Sequence, residues 1–252
     1  MSLVLYELKD KIAWITLNRP EKRNAINKAM REELYQALCQ VRDDRQVWVA
    51  IITGAGRDFS VGHDLFEADM PEAWGGVSIE DLYMLQLRLW KPLIAAVGGL
   101  CLAQGAAMAL SSDIRVAAED AQFGWRQVRL GISSASGPVI LPRCLPWNYA
   151  MEMLFTGDYL SAQDALRLHV VNRIVPPDRL LSTAEEIAQR VLLGAPLAVQ
   201  AMKEISARGL NMPLEDAVHY ATLRFHQSHL TRDSKEGLQA FREKREPVWS
   251  GE

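Results

Sequence analysis

The spacing of apolar residues changes repeatedly along this chain, and each change marks an element. Residues 5–8 and 12–17 are short apolar-rich runs separated by Lys9, Asp10 and Lys11, which predicts a β-hairpin, ended by Asn18-Arg19-Pro20. Over 28–42, Met30, Leu34, Leu38 and Val41 recur at helical spacing, with Arg31, Glu32, Glu33 and Arg42 on the other side, the pattern of an amphipathic helix. Residues 47–53, VWVAIIT, are almost continuously apolar over a strand's length, as expected of a strand covered on both faces. Residues 66–76 have no period and read as a loop over a site. Ser78-Ile79-Glu80-Asp81 has the form of a capping box and opens a helix that Leu82, Leu85 and Leu89 carry to Trp90.

Beyond this point strands are predicted at 114–118 and 121–123, helix over most of 138–154 with a break at Pro146, a helix starting at Ser161, and a last strand at 170–175. From Pro177 onward only helices follow. Strand and helix alternate for more than a hundred residues before that, so the pattern predicts an α/β fold with an α-helical C-terminal region.

The stretch from 91 to 115, KPLIAAVGGLCLAQGAAMALSSDIR, stands apart. It reads as a strand over 92–97, a break at Gly98-Gly99, a turn through Leu100-Cys101-Leu102 and a helix of small residues over 105–112. A Gly-rich turn into a helix presents free backbone N–H groups, which can hold an anion or a carbonyl oxygen becoming one. Ala106, Ala107 and Ala109 leave that helix able to press against neighbouring backbone. Its uncharged run, 92–110, approaches the ~20 residues that cross a bilayer, but Gly98, Gly99 and Gln104 interrupt it and Lys91 and Asp113 bracket it. A packed core unit is the reading adopted.

Composition narrows the function. A chain of 252 residues that is 49% hydrophobic and 23% charged can bury a large core, and its formal charge of -3 gives no reason to expect nucleic acid or an anionic membrane surface as partner. The three cysteines, Cys39, Cys101 and Cys144, form no CxxC pair and are expected to be reduced thiols. Glu7, Lys9, Asp10 and Lys11 fall where a signal peptide needs its apolar region, which places the protein in the cytoplasm.

Several short patterns carry little. Gly54-Ala55-Gly56 follows a strand, but Phe59 and the lack of a following helix argue against a dinucleotide fingerprint. His226 and His229 have the spacing of metal ligands without further ligands beside them, so no metal is expected. Gly131-Ile132-Ser133-Ser134-Ala135 lacks the second glycine of a nucleophile elbow. More specific is the pair of tight turns at 59–65, FSVGHDL, and 102–105, LAQG, which can aim two N–H groups at one point.

With Asn18-Arg19-Pro20, Asn24-Ala25-Ile26-Asn27, Ile52-Thr53-Gly54, 92–99, Asp113-Ile114, Phe123-Gly124, Leu141-Pro142-Arg143, Thr156-Gly157 and the tail from Glu236-Gly237 through Phe241 to Pro247, the chain resembles the crotonase (enoyl-CoA hydratase/isomerase) superfamily from about Asn18 almost to its end. The resemblance implies a crotonase-like spiral of ββα units over 1–195, a helical trimerisation region over 196–252, and a homotrimer or dimer of trimers. It also implies an acyl-CoA thioester substrate, with coenzyme A as part of the substrate and no other cofactor. The oxyanion hole would be the backbone N–H groups of His63 and Gln104. Coenzyme A would lie near Arg23 to Ala25 and along His63, Asp64, Leu65 and Phe66, with Phe241 and Lys244 completing its cover.

The chain departs from the family where hydration is performed. The two glutamates of the hydratase reaction correspond to Ala107 and Gln127, neither of which exchanges a proton near pH 7. Ser134, Glu67 and Asp69 are the remaining polar candidates near the site. Three readings follow: an acyl-CoA enzyme that stabilises a thioester enolate, a malonyl-type decarboxylase or thioester hydrolase using the same hole, and a CoA-ester-binding protein without catalysis. The His63-Asp64 form of the first turn is compatible with the decarboxylase.

Overall fold

A computed structural model describes residues 2–67 and 75–252. The hairpin forms as β1 (Val4–Lys9) and β2 (Ile12–Leu17), followed by α1 (Lys28–Asp43), whose N-cap Asn27 accepts from the Met30 amide, and by β3 (Val49–Gly54). Ser78 and Asp81 close the expected capping box at α2 (Ile79–Leu87). Then come β4 (Leu93–Val97), β5 (Leu100–Leu102), α3 (Gln104–Leu110), β6 (Ile114–Ala118) and β7 (Gln122–Gly124). α4 (Gly137–Cys144) and α5 (Trp147–Thr156) are separated at Pro146 as predicted, and β8 (Tyr159–Ser161), α6 (Ala162–Arg167) and β9 (Arg173–Val175) follow. The remaining helices are α7 (Leu180–Leu192), α8 (Pro196–Gly209), α9 (Leu214–Ser228) and α10 (Arg232–Glu243).

Six strands form one sheet in the order β1-β2-β3-β4-β6-β9, antiparallel at the hairpin and parallel elsewhere. Its strands are apolar on both faces because both are covered. Ile12, Ile51, Ile94 and Val116 pack beneath Leu180, Ala184 and Ile187 of α7, while their neighbours Ile15, Ile52, Ala95 and Ala117 face the main core with α1, α2 and α3. β5, β7 and β8 form a second sheet.

Two single bridges extend that second layer: Ser60 pairs with Cys101, and His63 with Ile26. Each passage of the chain through the large sheet is thus followed by a short segment in the small one: β2 by Ile26, β3 by 60–63, β4 by β5, β6 by β7. This is the spiral of repeated turns. Three readings are corrected here. Leu100-Cys101-Leu102 is a strand and not a turn, because its amides and carbonyls pair with Ser60 on one side and β7 on the other. The last strand is only Arg173–Val175, since Val170 and Val171 are held in a turn by the Ala165 carbonyl. β8 was not expected, being too short to carry an alternating pattern.

The helical C-terminal region is tied down by particular contacts. Lys203 on α8 donates to Asp113 (2.6 Å) and to the Lys91 carbonyl, and Glu204 meets Arg208, Arg224 and the Tyr220 hydroxyl. Among the described residues no helix is long and apolar enough to cross a membrane.

Candidate active site

The two turns singled out in the sequence meet. In the pairing of Ile26 with His63, the Ile26 amide donates to Gly62 O (2.8 Å) and the Asp64 amide to Ile26 O (3.0 Å). The bonds to that side are made by the flanking residues, so His63 turns its own N–H to the opposite side, where residues 102–104 run. A Cβ on Gly62 would stand 2.9 Å from Leu102 O and 3.1 Å from Gln104 N, and one on Gly105 2.6 Å from Ser60 O. Only glycine lets these backbones approach so closely, and Gly62 also has φ +88°.

Gln104 opens α3, and the first amides of a helix have no acceptor within it. The turn that delivers it is strained: Ala103 adopts φ 50° and ψ -114°, a region that residues with a Cβ rarely occupy. The Ala103 amide donates to Gly124 O (2.8 Å), which brings the chain after β7 against the same point. The Gln104 side chain is buried, with neither amide atom hydrogen-bonded among the described residues.

Ala107 lies one turn further along α3 and is wholly buried, as is nearly every residue of that helix. Gln127 begins a single 3-10 turn, Gln127–Leu130, and Ser134 follows in the loop before α4. These two line one cavity of about 330 Å³ with Trp125, Trp147, Leu154 and Phe155. The Ser134 hydroxyl oxygen accepts from the Gly137 amide (3.0 Å), a turn-forming contact at the start of α4. Gln127 Oε1 and Trp125 Nε1 are buried without a partner among the described residues. Trp125 escaped the sequence reading. No local pattern marked it: β7 ends at Gly124, and Arg126, between Trp125 and Gln127, has φ -92° and ψ 8°, so the two do not alternate as on a strand.

Of the residues expected at coenzyme A, Arg23, Leu65 and Phe66 are exposed, and Lys22 lies 5.7 Å from the Phe66 ring centre. Ala25 and Asp64 are buried and serve a different contact: Arg19 donates to Asp64 (2.5 Å) and to the Ala25 carbonyl (3.1 Å). Arg19 and the Phe66 amide hold the Asp64 carboxyl below its usual pKa against the opposing effect of burial, which is the largest single influence. Phe241 is 84% exposed on α10 and Lys244 caps that helix in the left-handed region. The start of α10 is fixed near the other end of the sheet, through Asp233 to Ser250 and Gly251, the latter against Trp48.

Around His63, burial chiefly and Arg31 secondarily push the imidazole below its ordinary pKa, with Asp64 and Glu67 opposing. Glu67 accepts from Asn27 (3.1 Å); Asp69 lies outside the described residues. His226 and His229 stay on an exposed helix end, His229 against the Phe225 carbonyl, and no group of metal ligands occurs among the described residues.

The sequence profile of the enoyl-CoA hydratase/isomerase family matches residues 7–252. The chain belongs to this family. It is 36% identical over 253 residues to (E)-benzylidenesuccinyl-CoA hydratase of Thauera aromatica, covering 98% of this chain and 99% of that one. It is 41% identical over 250 residues to carnitinyl-CoA dehydratase of Salmonella typhimurium, covering 94% of each. Among solved structures, an enoyl-CoA hydratase from Mycobacterium tuberculosis H37Rv superposes with a TM-score of 0.92 at 35% identity over the whole of both chains. One from Bacillus anthracis gives 0.93 at 32% identity, over 99% of this chain and 100% of that one. The chain is an enzyme of this family, and the crotonase fold implied by its motifs is the fold it has.

Proposed function

We propose that this family member binds an acyl-CoA thioester with its carbonyl oxygen between the backbone N–H groups of His63 and Gln104, and stabilises the enolate formed there. The single observation that supports this most is the close approach of Gly62 to Gln104 N, which sets two amide-bearing turns side by side. Amides fixed in a dry site stabilise developing negative charge without reorganising, and removing one such donor typically costs about 10²–10³ in rate.

Hydration by the usual pair of carboxylates is not available to the chain, since Ala107 and Gln127 stand at those positions. The reaction therefore takes its proton from another group or needs none. Asp64 and Glu67 are the carboxylates whose charge acts on His63, and Arg19 engages Asp64, which leaves Glu67 to consider. Loss of carbon dioxide from a malonyl-type thioester generates the enolate without a strong base, and the absence of a titratable side chain at 107 and 127 favours that second reading. The names of the relatives favour hydration or dehydration.

Incubating the protein with a panel of acyl-, enoyl- and malonyl-type CoA esters in D₂O, with mass detection, tests the proposal. Turnover of one ester, or deuterium uptake beside the thioester carbonyl, is expected. Binding of CoA esters with neither result for any of them would leave a non-catalytic binding protein and overturn the enolate reading. A trimer or dimer of trimers belongs to the same proposal, supported by the exposed Leu214, Val218 and Phe225 along α9. Light scattering at micromolar concentration should find no monomer.

A further inference from the structure

The cavity beside Gln127 is unlike the rest of the site in being apolar, aromatic and uncharged. Trp147 and Phe155 stand at its mouth, 69% and 72% exposed, and Leu154 and Trp125 form its wall. Among the described residues no lysine, arginine, histidine, aspartate or glutamate lines it. We propose that it seats the acyl group of the thioester and selects an uncharged, ring-bearing acyl group. This rests on the acyl-thioester reading of the site.

Position supports the assignment. Gly124 O accepts from the Ala103 amide, next to Gln104, and Trp125 and Gln127 follow within three residues. Three residues span at most about 10 Å, and Arg126 at φ -92° and ψ 8° shortens this stretch further, so a short acyl chain leaving the Gln104 amide reaches this cavity. Size supports it too. An engineered cavity of about 150 Å³ holds benzene, so 330 Å³ accommodates a phenyl ring with the carbons that join it to the thioester, but not the nucleotide end of coenzyme A.

Charge narrows the ligand further. A carboxylate is not matched to this cavity, because it would lose its water with no cation to replace it.

Calorimetric titration of the full-length protein with three CoA esters tests this: butyryl, succinyl and 3-phenylpropionyl. The ring-bearing ester should bind at least about tenfold tighter than butyryl or succinyl. Phe155→Ala, at an exposed position that folding tolerates, should weaken the ring-bearing ester more than butyryl-CoA. Equal binding of butyryl- and 3-phenylpropionyl-CoA, succinyl-CoA binding as tightly as the ring-bearing ester, or a Phe155→Ala protein with the ring-bearing ester's advantage undiminished, would overturn the proposal while leaving the acyl-thioester reading intact. If no ester binds the folded protein, the acyl-thioester reading itself fails.

Discussion

Gln127→Glu should give the enzyme hydratase activity that the wild type lacks or has only weakly. Glutamine and glutamate are nearly isosteric, so the carboxylate would take the place of an amide that already lines the cavity. General acid–base groups contribute about 10²–10⁴-fold each, so restoring one of two should raise the rate of enoyl-CoA hydration by about 10² at the lower end. The environment sets the pH at which this appears. Gln127 Oε1 is buried, and burial favours the neutral form of a carboxyl, so the new group should titrate above the ordinary glutamate value of about 4.3. The gain should therefore be greatest at pH 8 and fall away on acidification. Loss of the enoyl-thioester absorbance measures it directly.

Ala107→Glu is the contrasting change. Position 107 is fully buried on a helix with no exposed face, so overpacking of about 1–3 kcal/mol adds to the cost of an unpaired charge. A total of about 3 kcal/mol corresponds to a fall in Tm of about 6–12 °C for a chain of this size. A folded, ligand-binding Gln127→Glu protein with no gain in rate, together with a wild type that hydrates efficiently and is unaffected by Gln127→Ala, would refute the placing of Gln127 beside the reacting carbon.

Ala103→Gly should stabilise the protein by about 1 kcal/mol, because relief of about 1–3 kcal/mol of backbone strain exceeds glycine's extra entropy of about 0.5–1 kcal/mol in the unfolded chain; a lowered midpoint in urea would contradict the strain at Ala103. His63 is held below its ordinary pKa, so the unfolded chain protonates first and stability, complete above about pH 6.5, falls as the pH drops through that value. His63→Gln should flatten the dependence of Tm on pH below about 6.5, and an unchanged dependence would contradict the burial of the imidazole as its source.

The large sheet was legible because its strands are buried on both faces and so read as apolar runs such as 47–53 and 92–97. Of the second sheet only β7 was legible, as the short strand at 121–123, since β5 and β8 are three residues each and are held by pairing with distant segments that no local pattern reveals. The two site turns were found through their glycines, but the need for Gly62 lies in Leu102 and Gln104, some forty residues away. The family resemblance put Asp64 near coenzyme A; its contact with Arg19 depends on a long-range meeting of two loops that no local pattern reveals. Trp125 was passed over because an apolar residue after a strand is ordinarily core, and only the cavity distinguishes it.

The central claim is that two backbone amides, those of His63 and Gln104, hold a thioester carbonyl. The direct measurement is the affinity of an acyl-CoA thioester compared with that of the matching S-alkyl-CoA thioether, which keeps the chain and the nucleotide and lacks only the carbonyl oxygen. Two hydrogen bonds at a net 0.5–1.5 kcal/mol each predict that the thioester binds about 5- to 150-fold tighter. Equal dissociation constants for the two would contradict the account.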